Sequence, residues 1–82
     1  MNQIPVEMIW REEGQRLQHM RETLHIGRYE FAKTLGVSYS SLRNLEEGKR
    51  VRRRRMFIQS YKNALLLYCR QNQLTLYANH VS

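Results

Sequence analysis

The sequence predicts an all-α fold in a single domain over residues 1–82, and three observations carry that expectation. Apolar residues recur at helical spacing along most of the chain. The one proline, Pro5, lies near the start, so nothing interrupts a helix further on. Glycines at 14, 27, 36 and 48 divide the remainder into segments of helical length. Eighty-two residues, 41% of them hydrophobic, supply one modest core and no second one.

Pro5 suits the first turn of a helix, where its missing N–H removes no bond. From Val6 to about Leu24 the apolar positions Met8 or Ile9, Leu17, Met20 and Leu24 share a face. Gly14 weakens that helix by roughly 1 kcal/mol relative to Ala, which suggests that another element approaches closely there. A short helix follows from about Arg28 to Leu35, with Phe31, Ala32 and Leu35 inward, and Gly36 ends it in a left-handed turn. Ser38 caps the next helix, which stops before Gly48. After a basic connector, a long helix from about Arg53 to Gln71 carries Phe57, Tyr61, Ala64, Leu65 and Tyr68 as its stripe, with Met56-Phe57-Ile58 read as core. The block Ala64–Cys69 is apolar all round and predicts a second covered surface. The tail Leu74–Ala78 reads as a short C-terminal strand or as an irregular arm.

Charge narrows the class of partner. Fourteen Lys and Arg against seven Asp and Glu give a formal +7 and a pI near 10.2. Lys49, Arg50 and Arg52 to Arg55 hold almost all of that excess, so a basic cluster sits on a near-neutral body. Such a cluster suits a polyanion: DNA, RNA or an acidic membrane. No run of 18 apolar residues exists to span a bilayer, and the N-terminus lacks the features of a signal peptide. The lone Cys69 excludes an internal disulfide and fits a reducing compartment, so the chain reads as cytoplasmic. His19, His25, His80 and Cys69 lack metal-ligand spacing, and no nucleophile motif, phosphate-cradling loop or facing carboxylate pair stands out. Neither catalysis, a metal nor a cofactor is expected.

Two short helices around a tight glycine turn form the arrangement that presents one helix to the major groove of DNA. On a wheel starting at Tyr39, residues 39, 40, 43, 44 and 47 fall within about 140° of one another. That arc is Tyr, Ser, Arg, Asn and Glu, while Leu42 and Leu45 lie opposite. Asn can bond an adenine edge in two places, Ser can donate or accept, and Tyr can stack or donate.

Residues 14–50, GQRLQHMRETLHIGRYEFAKTLGVSYSSLRNLEEGKR, resemble the helix-turn-helix of the Cro and phage-repressor family, also called the Xre family. The match includes Gly14, Leu17, Arg21-Glu22, Leu24, Ala32, Leu35-Gly36-Val37-Ser38, Leu42, Leu45-Glu46 and Gly48-Lys49. The resemblance implies a lambda-repressor-like bundle of about five helices. It also implies sequence-specific binding to double-stranded DNA, usually by a homodimer on a pseudo-palindromic operator. Carried over, Tyr39, Ser40 and Asn44 read bases. Arg28, Ser38, Arg43, Lys49 and Arg50 contact the DNA backbone, and Arg21 pairs with Glu46. Two positions depart from the pattern: Gly27 replaces a Ser or Thr cap, and Arg28 replaces a glutamine that contacts phosphate.

The run from Arg52 through Arg53 and Arg54 has three readings: a solvated linker, a phosphate clamp or a membrane anchor. Its nearness to Gly48 favours the clamp. Residues 53–82 are expected to supply the dimer interface. The function expected is a DNA-binding transcriptional regulator, most often a repressor in this family. The alternative is an interaction module, or an antitoxin-like partner of a toxin, that uses the same scaffold.

Overall fold

The computed structural model describes residues 4–72, which form four helices and no strand. They are α1 (Val6–Thr23), α2 (Arg28–Leu35), α3 (Tyr39–Glu46) and α4 (Arg54–Gln71). The expected count of about five helices is corrected to four among the described residues. Residues 54–71 contain neither Gly nor Pro, so the C-terminal part runs as one unbroken helix of 18 residues. The strand or arm expected at Leu74–Ala78 lies outside the described residues.

Each helix boundary has a local cause. Pro5 precedes α1 with φ −58°, and its carbonyl accepts from the Met8 amide at 2.9 Å. Gly36 takes φ 74°, and its amide and that of Val37 close α2 on the Lys33 and Ala32 carbonyls. Ser38 Oγ accepts the Ser41 amide at 3.0 Å, satisfying a donor that the start of α3 would otherwise leave open. The α4 start is less comfortable. Arg53 takes φ 49°, a left-handed conformation disfavoured for a side chain with a Cβ, and caps nothing with its side chain.

The core lies where the four helices meet. Leu17 and Leu24 from α1 and its end, Phe31 and Ala32 from α2, Leu42 and Leu45 from α3, and Tyr61, Leu65 and Cys69 from α4 are all buried. Phe31 meets Tyr61 edge-on, with ring centroids 4.7 Å apart. Gly14 explains how close α1 and α3 come. A Cβ there would sit 2.6 Å from the Leu45 carbonyl oxygen and nearer still to that of Glu46. Any larger residue would push the C-terminal end of α3 off α1.

Three core expectations are corrected. Met8 and Ile9 are exposed (54% and 44%), because the first turns of α1 run past the bundle and meet only the 47–50 segment and Arg54. Met56 is exposed (61%), while Phe57 and Ile58 pack against the core. Within Ala64–Cys69, residues 64, 65, 68 and 69 face inward, so only Leu66 and Leu67 remain outside. The block is therefore mostly core, and its surplus is two leucines. No helix among the described residues is long and apolar enough to cross a membrane.

Candidate nucleic-acid interface

At the end of α3 the Glu46 side chain is fully buried and meets a residue from each of the other three helices. Arg21 of α1 donates to it twice, Nε to Oε2 at 2.7 Å and Nη2 to Oε1 at 3.0 Å. Arg28 of α2 donates through Nε to Oε1 at 2.9 Å. The Tyr61 hydroxyl of α4 also reaches the carboxylate and lies 3.0 Å from the Leu17 carbonyl. Arg21 spends a further N–H on the Ile26 carbonyl at 2.7 Å, which fixes the turn between α1 and α2.

The electrostatics follow from this crowding. Burial pushes the Glu46 carboxyl toward the neutral form, but hydrogen bonds from Arg21, Tyr61 and Arg28 outweigh it, leaving its pKa below the ordinary 4.5. Burial, then the adjacent carboxylate, push the Tyr61 phenol upward, so it remains a neutral donor. Two guanidiniums and one phenol thus hold one carboxylate charged in the interior.

The hub orients the outer arc of α3. Tyr39, Ser40 and Arg43 are exposed, and Asn44 is half-buried beside them. Tyr39, 42% exposed, does not swing freely. The Arg28 guanidinium carbon stands 5.8 Å from its ring centroid, and Nη1 lies 3.4 Å from its hydroxyl. Arg28, expected at the DNA backbone, is thus committed in part to Glu46 and Tyr39. Ser38 is similarly engaged: its hydroxyl caps α3 and donates to Ser41 Oγ at 2.8 Å.

Beyond α3 the connector carries Lys49, Arg50, Arg52 and Arg53, all exposed apart from a half-buried Val51 between them. Lys49 lies 3.3 Å from Glu47, an open ion pair of little energetic weight. Among the described residues, Arg43, Arg50, Arg52, Arg53 and Arg55 meet no carboxylate within 4.0 Å. Their charges stand in solvent beside the exposed arc.

Arg54 corrects the reading of the arginine run. Its side chain is only 12% exposed and turns onto α1, donating to Glu13 Oε1 and the Trp10 carbonyl. The guanidinium also lies over the Trp10 ring, 5.2 Å from the centroid. It ties α4 to α1 rather than offering a phosphate contact. Helical phase carries the signal: 54, 58, 61 and 65 share a face, so Arg54 extends the buried stripe back by one turn. Tyr61 and Arg28 as partners of Glu46 have no comparable local signal, being 15 and 18 residues from it.

The site therefore has an uncharged reading arc, a rim of open cations and a buried charged hub beneath them. Compared with protein-family models, with curated proteins and with solved structures, the chain matches none.

Proposed function

We propose that this chain is a sequence-specific double-stranded-DNA-binding regulator, with α2, Gly36 and α3 acting as a helix-turn-helix of the Cro and phage-repressor type. In this reading it works in the cytoplasm as a repressor, bound as a dimer to a pseudo-palindromic operator. One observation carries it: the outer arc of α3 exposes Ser40, Asn44 and a braced Tyr39 between Arg43 and the open cations of residues 49–53. Uncharged donors and acceptors discriminate base edges, whereas surrounding arginines neutralise phosphate without reading sequence. The required division of labour is thus met within one surface. An interaction module or antitoxin-like protein is the second reading, favoured by the exposed apolar start of α1 at Val6, Met8 and Ile9.

Selection of duplexes from a random pool tests the proposal. A preferred half-site should emerge, and Asn44→Ala should weaken binding to it by about 1–3 kcal/mol while relaxing preference at one base pair. Retention of all duplexes alike, or of none, at moderate salt would give the function to the interaction module.

A further inference from the structure

The outward face of α4 divides lengthwise into two strips of different charge. Counting 100° per residue from Arg54, Arg55, Lys62 and Arg70 lie at roughly 80–160°, together with Gln59 and Leu66. Met56, Ser60, Asn63, Leu67 and Gln71 lie at roughly 180–260° by the same geometry. All five are exposed and none is charged. Met56 and Leu67 are 61% and 53% exposed, and the Gln59 side-chain amide bonds Asn63 Oδ1 at 3.1 Å between them. The strip continues into a groove between α2 and α4 lined by Ile26, Thr34, Leu35 and Tyr68, where Glu30 is the one ionisable group with a charge at neutral pH.

We infer that this strip and its groove are the surface on which a second copy of the chain docks. It rests on the dimer in the reading above and replaces the apolar block as the interface. The charge pattern selects the occupant. A chain of net +7 repels its own copy wherever cations face each other, and the strip carries none. An acidic partner finds no cation to pair with there, and a basic one finds only Glu30. A two-fold contact uses the same patch on both copies, so a surface that is neutral, apolar at Met56 and Leu67, and able both to donate and to accept at Asn63 is complementary to itself. Leu66, with similar exposure, belongs to the other strip, between Lys62 and Arg70, and takes no part.

Sedimentation velocity of the whole chain at micromolar concentration, without DNA, tests this surface. The wild type should sediment as a dimer. Leu67→Lys places two like charges across the contact and should weaken association about a hundredfold or more. Leu66→Lys adds the same charge one residue away and should leave the dimer intact. Both side chains are exposed, and far-UV circular dichroism checks that each variant keeps its helices. A monomeric wild type overturns the inference, as does a dimer that survives Leu67→Lys or is lost equally with Leu66→Lys. A chain that dimerises as described but retains no duplex would overturn the DNA reading and leave this surface standing.

Discussion

The arginines at the centre of the bundle and those on the connector ahead of α4 use the same guanidinium in opposite ways. Arg21 is buried and spends its N–H groups on Glu46 and the Ile26 carbonyl. Arg50, Arg52 and Arg53 are exposed and meet no carboxylate among the described residues. The first kind fixes where helices sit, and the second supplies field without holding anything together. Arg28 spans both groups, with Nε on the hub and Nη1 beside Tyr39. The lesson is that a basic chain cannot be read by counting cations. Those already matched inside the fold are not available to a polyanion.

The contrast is largest at Glu46. Glu46→Ala would leave two guanidiniums and the Tyr61 hydroxyl facing a void where their shared acceptor stood. A broken buried pair typically costs about 3–5 kcal/mol, so chemical denaturation should show a loss of that size. Glu46→Gln restores shape but not charge and should recover only part of it. The same carboxyl sets an acid limit. Its pKa is lower in the folded chain than in the unfolded one, so the unfolded chain takes up the proton more readily. Its stabilisation is present above the ordinary value of 4.5 and fades as pH falls through the folded value. Thermal midpoints measured down the acid range should therefore converge for wild type and Glu46→Gln; a constant gap would mean that the charge contributes nothing.

Arg54 belongs with the structural group, although the sequence sets it among the open cations. Arg54→Ala removes bonds to Glu13 and the Trp10 carbonyl and the packing over the Trp10 ring. The loss should be about 1–2 kcal/mol, moderated because Glu13 keeps a side in water. An unchanged midpoint in urea would return Arg54 to the connector group.

How much of the molecule is legible in its sequence varies with the range of the interaction. The limits of α2 and α3 follow from Gly36 and Ser38, whose effects act within a few residues, and both helices fall where those residues place them. Gly14 signals a close approach without naming the neighbour, which proves to be the end of α3. Periodicity cannot reveal that Met8 and Ile9 are exposed, because it reports which face a residue shares and not how far the neighbouring helices reach. The Arg28–Glu46 bond is hidden because a family-like position invites one role, while the partner is set by how α2 packs on α3. Arg54 is legible by phase but obscured by composition: four consecutive arginines read as one patch until the helix turns one of them inward.

The smallest expected effect on stability, and the sharpest test of the contrast, is at Arg53. It stands next to Arg54 in the chain, is exposed, and holds no carboxylate among the described residues. Arg53→Ala should leave the denaturation midpoint within about 0.5 kcal/mol of wild type, as for a surface change away from any special neighbour. Its backbone stays left-handed either way, since alanine and arginine meet the same restriction at φ 49°. If Arg53 touches phosphate, the substitution should flatten the slope of log K against log salt by about 0.9 for each phosphate released, and a symmetric dimer releases two. The weakening should appear equally on a selected site and on scrambled duplex, because phosphate carries no sequence. Arg54→Ala, measured beside it well below its unfolding midpoint, should show the reverse: a lower midpoint and an unchanged salt slope. Two neighbouring arginines would then separate cleanly, one by stability and the other by ionic strength. If both variants flatten the slope alike, the run acts as one patch and the inward turn of Arg54 does not persist on DNA. If neither does, the phosphates are held elsewhere on the rim, at Arg43, Lys49, Arg50 or Arg52.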